Sequence, residues 1–113
     1  MKKRILIIDD EIDLCFLLKN YLTAKNYEVD IANTIQDGLI KLNHSHPDIL
    51  FLDNNLPDGS GWEKAPEISN SNPALKINLI SGLKQRFPPG KMKANIRIIE
   101  KPLSAFEIDK ALF

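Results

Sequence analysis

Two kinds of block alternate along this chain. Some are short and continuously apolar, and others are longer with apolar residues every third or fourth position. Short continuous runs suit strands covered on both faces, and the longer repeats suit amphipathic helices. Lys3 to Ile8 is the first expected strand, with Ile5-Leu6-Ile7-Ile8 as its apolar run. A helix follows, with Ile12, Cys15, Phe16 and Lys19 on one stripe and Leu14, Leu17, Leu18 and Tyr21 widening it. The helical pattern fades near Lys25-Asn26, and Tyr27 to Ile31 reads as a second strand. Thr34 with Asp37 three positions on predicts a capped helix start, and Ile35, Leu39 and Leu42 supply its apolar face. His44-Ser45-His46-Pro47 closes that helix, because a residue before proline disfavours the helical region.

The third strand organises the chain. Ile49-Leu50-Phe51-Leu52 ends abruptly at Asp53, and Asn54, Asn55, Pro57, Asp58 and Gly59 turn the backbone away. Trp62 to Ser69 reads as a short helix with Trp62 in the core, and Pro66 suits it only within the first turn. Asn70-Ser71-Asn72-Pro73 is a turn, and Leu75 to Ile80 is a fourth strand ending in Ser81-Gly82. Leu83 to Asn95 contains Pro88-Pro89-Gly90, which predicts at most a single helical turn on either side. Ile96 to Ile99 is a fifth strand ending in Glu100-Lys101-Pro102. Ser104 with Glu107 opens a last helix, with Phe106, Ala111 and Leu112 as apolar contacts.

Strands that alternate with helices imply right-handed crossovers and a parallel sheet between helix layers. The expected fold is α/β, a flavodoxin-like doubly wound sheet of five parallel strands in the order 2-1-3-4-5. Its fourth helix is expected to be irregular or shortened.

Composition narrows this only slightly. With 113 residues the chain fits one domain, residues 1–113. The 15 basic and 15 acidic residues balance, which gives no sign of a nucleic acid or membrane partner. Cys15 is the only cysteine, so no disulfide framework exists and a reducing compartment is expected. The basic N-terminus has too short an apolar run for a signal peptide and the chain has no membrane-span-length run, so a cytoplasmic location is expected.

Chemistry enters through the strand ends. Asp9-Asp10-Glu11 follow strand one, Asp53 ends strand three, Ser81 ends strand four and Lys101 follows strand five. In a parallel sheet these carboxyl ends share one rim, where such folds place ligands. Three clustered carboxylates repel, and a hard divalent cation relieves them; few ligands with room for water favour Mg²⁺. A metal and a lysine beside a carboxylate are what phosphoryl transfer to that carboxylate needs. Each residue alone has an ordinary use, as a helix cap, a solvated lysine or a turn serine. Their coincidence on one rim is what those uses leave unexplained. His44 and His46 fall at the opposite rim, in a solvated loop.

Ile7-Ile8-Asp9-Asp10-Glu11, Leu52-Asp53-Asn54-Asn55-Leu56-Pro57 with Gly61, Ser81-Gly82 and Lys101-Pro102 together resemble the receiver domain of bacterial two-component response regulators. The resemblance covers essentially the whole chain. It implies that Asp53 accepts a phosphoryl group from a sensor histidine kinase or a histidine phosphotransfer protein, with a downstream protein as a further partner. It implies Mg²⁺ bound by Asp10, Asp53 and the Asn55 backbone carbonyl, with Asp9 acting largely through water. Ser81 would bind a phosphoryl oxygen and Lys101 would pair with the phosphoryl group, with a cis Lys101-Pro102 bond. Enzymatic activity would be limited to accepting and losing that group.

Two departures stand out. The family usually has an aromatic residue three positions before the lysine, where this chain has Ile98, and a regular fourth helix, where it has Pro88-Pro89-Gly90. Phosphorylation without the usual dimer-forming switch is the expected consequence. The chain ends at Phe113, consistent with a single-domain receiver or a piece of a longer protein. A rival reading is a receiver-like interaction module that is never phosphorylated and has an altered output face. Another is an aspartyl phosphohydrolase of the haloacid-dehalogenase-like group. That group wants an acid two residues after the nucleophile, where Asn55 stands, and a longer chain.

Overall fold

In the computed structural model, residues 2–82 and 95–112 are described. The apolar runs become β1 (Arg4–Ile8), β2 (Glu28–Ala32), β3 (Ile49–Asp53), β6 (Lys76–Ser81) and β7 (Ile96–Glu100). They form one parallel sheet in the order β2-β1-β3-β6-β7. This is the expected order, because a short antiparallel ribbon, β4 (Asn55–Leu56) with β5 (Gly59–Ser60), takes the two intervening labels. The sequence predicts only a plain turn there. Two-residue strands are too short to show a period. Gly59 has φ +143°, a conformation that side chains resist, and so permits the tight return.

Helices cover both faces of the sheet, as βαβ crossovers require. On one face, Leu6, Ile8, Leu50, Leu52, Ile77 and Leu79 pack against α2 (Ile35–Ser45) and α3 (Gly61–Ser71). On the other, Ile5, Ile7, Ile49, Phe51 and Ile80 pack against α1 (Ile12–Ala24) and α4 (Ala105–Lys110). Both predicted capping serine and threonine residues work as caps. Thr34 Oγ1 accepts from Asp37 N at 3.1 Å, and Ser104 Oγ accepts from Glu107 N at 3.2 Å.

Three helix details correct the sequence reading. On α1 the buried stripe is Cys15, Leu18 and Leu22, whereas Ile12 and Phe16 are exposed. This helix is apolar on nearly every side, so periodicity could not select the buried face. Phe106 on α4 is 68% exposed and leaves the core to Ile108 and Ala111. Its ring instead lies under the Lys110 ammonium, 5.0 Å from the ring centre. Pro66 lies inside α3 rather than in its first turn, and Asn70 and Ser71 extend the helix. Burial of Trp62, Ala65 and Ile68 holds that helix together despite one missing N–H.

The expected irregular stretch from residue 83 to 94, and with it the altered fourth helix, lies outside the described residues. Ile98 is half-buried and packs with the α2–α3 side of the core. No helix among the described residues is long and apolar enough to cross a membrane.

Candidate phosphoryl-acceptor site

The carboxyl ends of β1, β3, β6 and β7 bring the predicted residues together. Asp9 is fully buried, Asp53 is 5% exposed, and Asp10 is exposed beside them. A carboxylate oxygen from each lies within 4.8 Å of the others. Lys101 Nζ reaches over from the end of β7, 3.8 Å from Asp53 Oδ1 and 3.7 Å from Asp9 Oδ2. Its shortest contact is 2.6 Å to Glu11 Oε1. The backbone holds this arm in place, since Lys101 N donates to Ser81 O at 2.8 Å. The Lys101–Pro102 bond is cis, as the resemblance implies.

Asp9 is the most constrained acid. Its Oδ1 accepts from Glu11 N at 2.9 Å, and its backbone carbonyl accepts from Asn33 Nδ2 at 2.8 Å and from the Cys15 thiol at 3.4 Å. Its Oδ2 is buried with no hydrogen-bond donor among the described residues, and its only described partner is the Lys101 ammonium at 3.7 Å. A buried carboxylate oxygen left so is costly, and a cation is the natural partner. Three hard oxygen donors, one of them with an oxygen that lacks a hydrogen bond, fit Mg²⁺ better than a soft metal.

Ser81 is buried at the end of β6, one residue beyond Ile80, the strand partner of Asp53. Its hydroxyl donates to the Gly82 carbonyl at 2.9 Å, so it is near the site but turned to its own neighbour. Asn55 is exposed at the start of the ribbon, paired with Ser60. His44 and His46 are exposed beyond the far rim, but His44 lies in the last turn of α2 and His46 is its C-cap rather than both lying in a loop.

Sequence reasoning missed two supports of the site. Asn54 Oδ1 accepts from the Ser60 hydroxyl and, at 3.4 Å, from Trp62 N, so it ties the chain after Asp53 to the start of α3. Asp58 accepts from Ile35 N at 2.8 Å and Gln36 N at 3.0 Å, placing its charge on the amino end of α2. Those amide bonds hold its carboxyl below the usual range. A local signal for Asp58 did exist, since turn aspartates often accept backbone N–H groups, but its partner lies 23 residues away.

The electrostatics follow from burial. Burial, and then the neighbouring Asp9 charge, raise the Asp53 carboxyl to about 6, against the pull of Lys101 and the Asn54 amide. Asp9 is raised for the same first reason. Burial alone would lower the Lys101 ammonium, but the Glu11 bond and the Asp9 and Asp53 charges outweigh it and the net shift is upward. A carboxyl raised in the folded state binds more protons there than in the unfolded chain. Its stabilisation is therefore present below the ordinary value of 3.8 and is lost as pH rises through about 6. Without added metal, the wild type should be more stable at pH 5 than at pH 7. The part of that pH 5 to 7 fall due to Asp53 is about 1.3 kcal/mol, because pH 5 already lies above the unfolded value. Urea titrations of wild type and Asp53→Asn should show the pH 5 to 7 fall shrinking in the variant; equal falls would contradict the assignment.

A doubly wound sheet whose rim joins three acids, a serine and a lysine has the parts that phosphoryl transfer to a carboxylate requires. The chain belongs to the response regulator receiver family: the family model for the response regulator receiver domain matches residues 5–113. Receiver domains of this family generally bind Mg²⁺ at an acidic pocket and interact with histidine kinases and output domains.

Among individual proteins, the chain is similar to the chemotaxis protein CheY of Thermotoga maritima. The two are 32% identical over 87 residues, which is 76% of this chain and 72% of that protein. It is also similar to the luminescence regulatory protein LuxO of Vibrio campbellii, 31% identical over 71 residues. That match takes in 63% of this chain and 16% of LuxO, so the chain spans a small part of that relative's length. Among solved structures, a CheY-like receiver domain protein from Methanospirillum hungatei JF-1 superposes with a TM-score of 0.81 at 25% identity. The match covers 99% of this chain and 91% of the other. The signal receiver domain of a putative LuxO repressor from Vibrio parahaemolyticus matches in fold, with a TM-score of 0.82 at 22% identity, over 99% of this chain and 88% of that one.

Proposed function

We propose that Asp53 is the residue that accepts the phosphoryl group, from a histidine kinase or a histidine phosphotransfer protein, in a single receiver unit spanning residues 1–113. The observation that carries this reading is Lys101 Nζ at 3.8 Å from Asp53 Oδ1, inside a cluster of three carboxylates. An Asp53 carboxylate oxygen attacks phosphorus, forms the O–P bond, and the donor's P–N bond breaks with the pair and a proton returning to its imidazole. Lys101 pairs with the phosphoryl oxygens. Ser81 turns its hydroxyl from the Gly82 carbonyl to one of them.

Asp10, Asp53 and the Asn55 backbone carbonyl would hold Mg²⁺ directly, with Asp9 engaged through water. The bound ion supplies charge neutralisation for the transferring group. Asp10 is the exposed acid of the three, so replacing it disturbs the core least. Asp10→Asn should weaken Mg²⁺ binding at least about tenfold, because loss of even an outer-shell partner of a metal ligand costs that much. Magnesium titration followed by Trp62 fluorescence measures this. Unchanged affinity in Asp10→Asn would remove Asp10 from the ligand set. EDTA should stop phosphoryl uptake by wild type; uptake that persisted would contradict the metal requirement.

A receiver-like interaction module without phosphorylation would leave these residues without a task. Turnover of a generic phosphate ester would instead favour a hydrolase.

A further inference from the structure

The tightest contact of Lys101 is not with Asp53. Its ammonium lies 2.6 Å from Glu11 Oε1, more than an ångström closer than to either Asp9 or Asp53. Glu11 occupies the N-cap position of α1, yet its side chain makes no capping bond. Its backbone is pinned on both sides of that position. Glu11 N donates to Asp9 Oδ1 at 2.9 Å, and Glu11 O accepts from Cys15 N at 3.0 Å. The main chain is therefore fixed to the site, while the carboxylate is left to meet Lys101 at the mouth.

We propose that Glu11 is a positioning residue that holds Lys101 back from the phosphoryl-binding position until a phosphoryl group arrives. This rests on the reading of Asp53 as acceptor. The Lys101 side chain is 21% exposed and that of Glu11 57% exposed, so water screens the pair and it is readily exchanged. A phosphoryl group carries roughly two negative charges against one on Glu11. It therefore outcompetes the carboxylate, and Lys101 changes partner as the O–P bond forms. The unphosphorylated protein is slowed by the need to break this contact first.

Two substitutions separate this from simple repulsion of an anionic donor. Glu11→Gln removes the charge. Glu11→Asp keeps the charge but withdraws it by one methylene, too far for the contact. The test is the rate of phosphoryl uptake from acetyl phosphate with Mg²⁺, followed by intact mass. Both variants should be faster than wild type by about two- to fivefold, the range a half-exposed ion pair commands. Acceleration in Glu11→Gln alone would mean donor repulsion and would overturn the proposal. So would equal or slower uptake in both. A wild type that takes up no phosphoryl group would instead sink the acceptor reading itself.

Discussion

Asp53→Asn should take up no phosphoryl group from acetyl phosphate and Mg²⁺ under conditions in which wild type takes up one. The amide cannot act as the nucleophile, and no other carboxylate replaces it. Asp9 is sealed beneath the site, with one oxygen bonded to the Glu11 amide. Asp10 is exposed and lacks a described contact with Lys101. The substitution should leave the fold intact, because it removes a buried charge whose carboxyl is already pushed up to about 6. Intact mass of both proteins over the same time course gives the answer, and equal labelling would remove Asp53 from the reaction.

Gly61→Ala should be the most disruptive small substitution near the site. A Cβ at Gly61 would lie 2.0 Å from the Asp53 backbone oxygen and 2.9 Å from Leu52 Cδ1. The first neighbour is main chain at the end of a central strand and cannot step aside. The expected loss is about 3 kcal/mol, the upper part of the range for overpacking. Phosphoryl uptake should fall as well, since Asp53 itself must move. Gly82→Ala is the matched control, because no atom of the described residues lies within 4 Å of its added Cβ. It should stay within about 0.5 kcal/mol of wild type. Urea unfolding midpoints compare the two, and a Gly61→Ala variant as stable as wild type would mean that α3 starts farther from β3 than described.

Most of the fold was legible because its strands are buried on both faces. Ile5 to Ile8 and Ile49 to Leu52 are continuous apolar runs, and each ends at an acid that marks the rim. Parallel topology then carried Asp9, Asp53, Ser81 and Lys101 to one edge without any further information. What stayed hidden depended on contacts between distant segments or on ambiguous local patterns. On α1, Ile12, Phe16 and Leu17 are as apolar as the buried Cys15, Leu18 and Leu22, so burial could not be read from composition. The ion pair between Glu11 and Lys101 spans 90 residues and has no local signature. Asp58 looked like any turn acid until the ribbon brought it to the start of α2. The Ser81 hydroxyl donates to the Gly82 carbonyl when no phosphoryl group is present, a choice of acceptor with no signature in the sequence.

The most direct test of the central claim is chemical trapping of the acyl phosphate. Wild type is incubated with acetyl phosphate and Mg²⁺, reduced with borohydride and mapped by tandem mass spectrometry. The account predicts homoserine at position 53 alone, and none when EDTA replaces Mg²⁺. Homoserine at another aspartate, or its absence throughout, would contradict it.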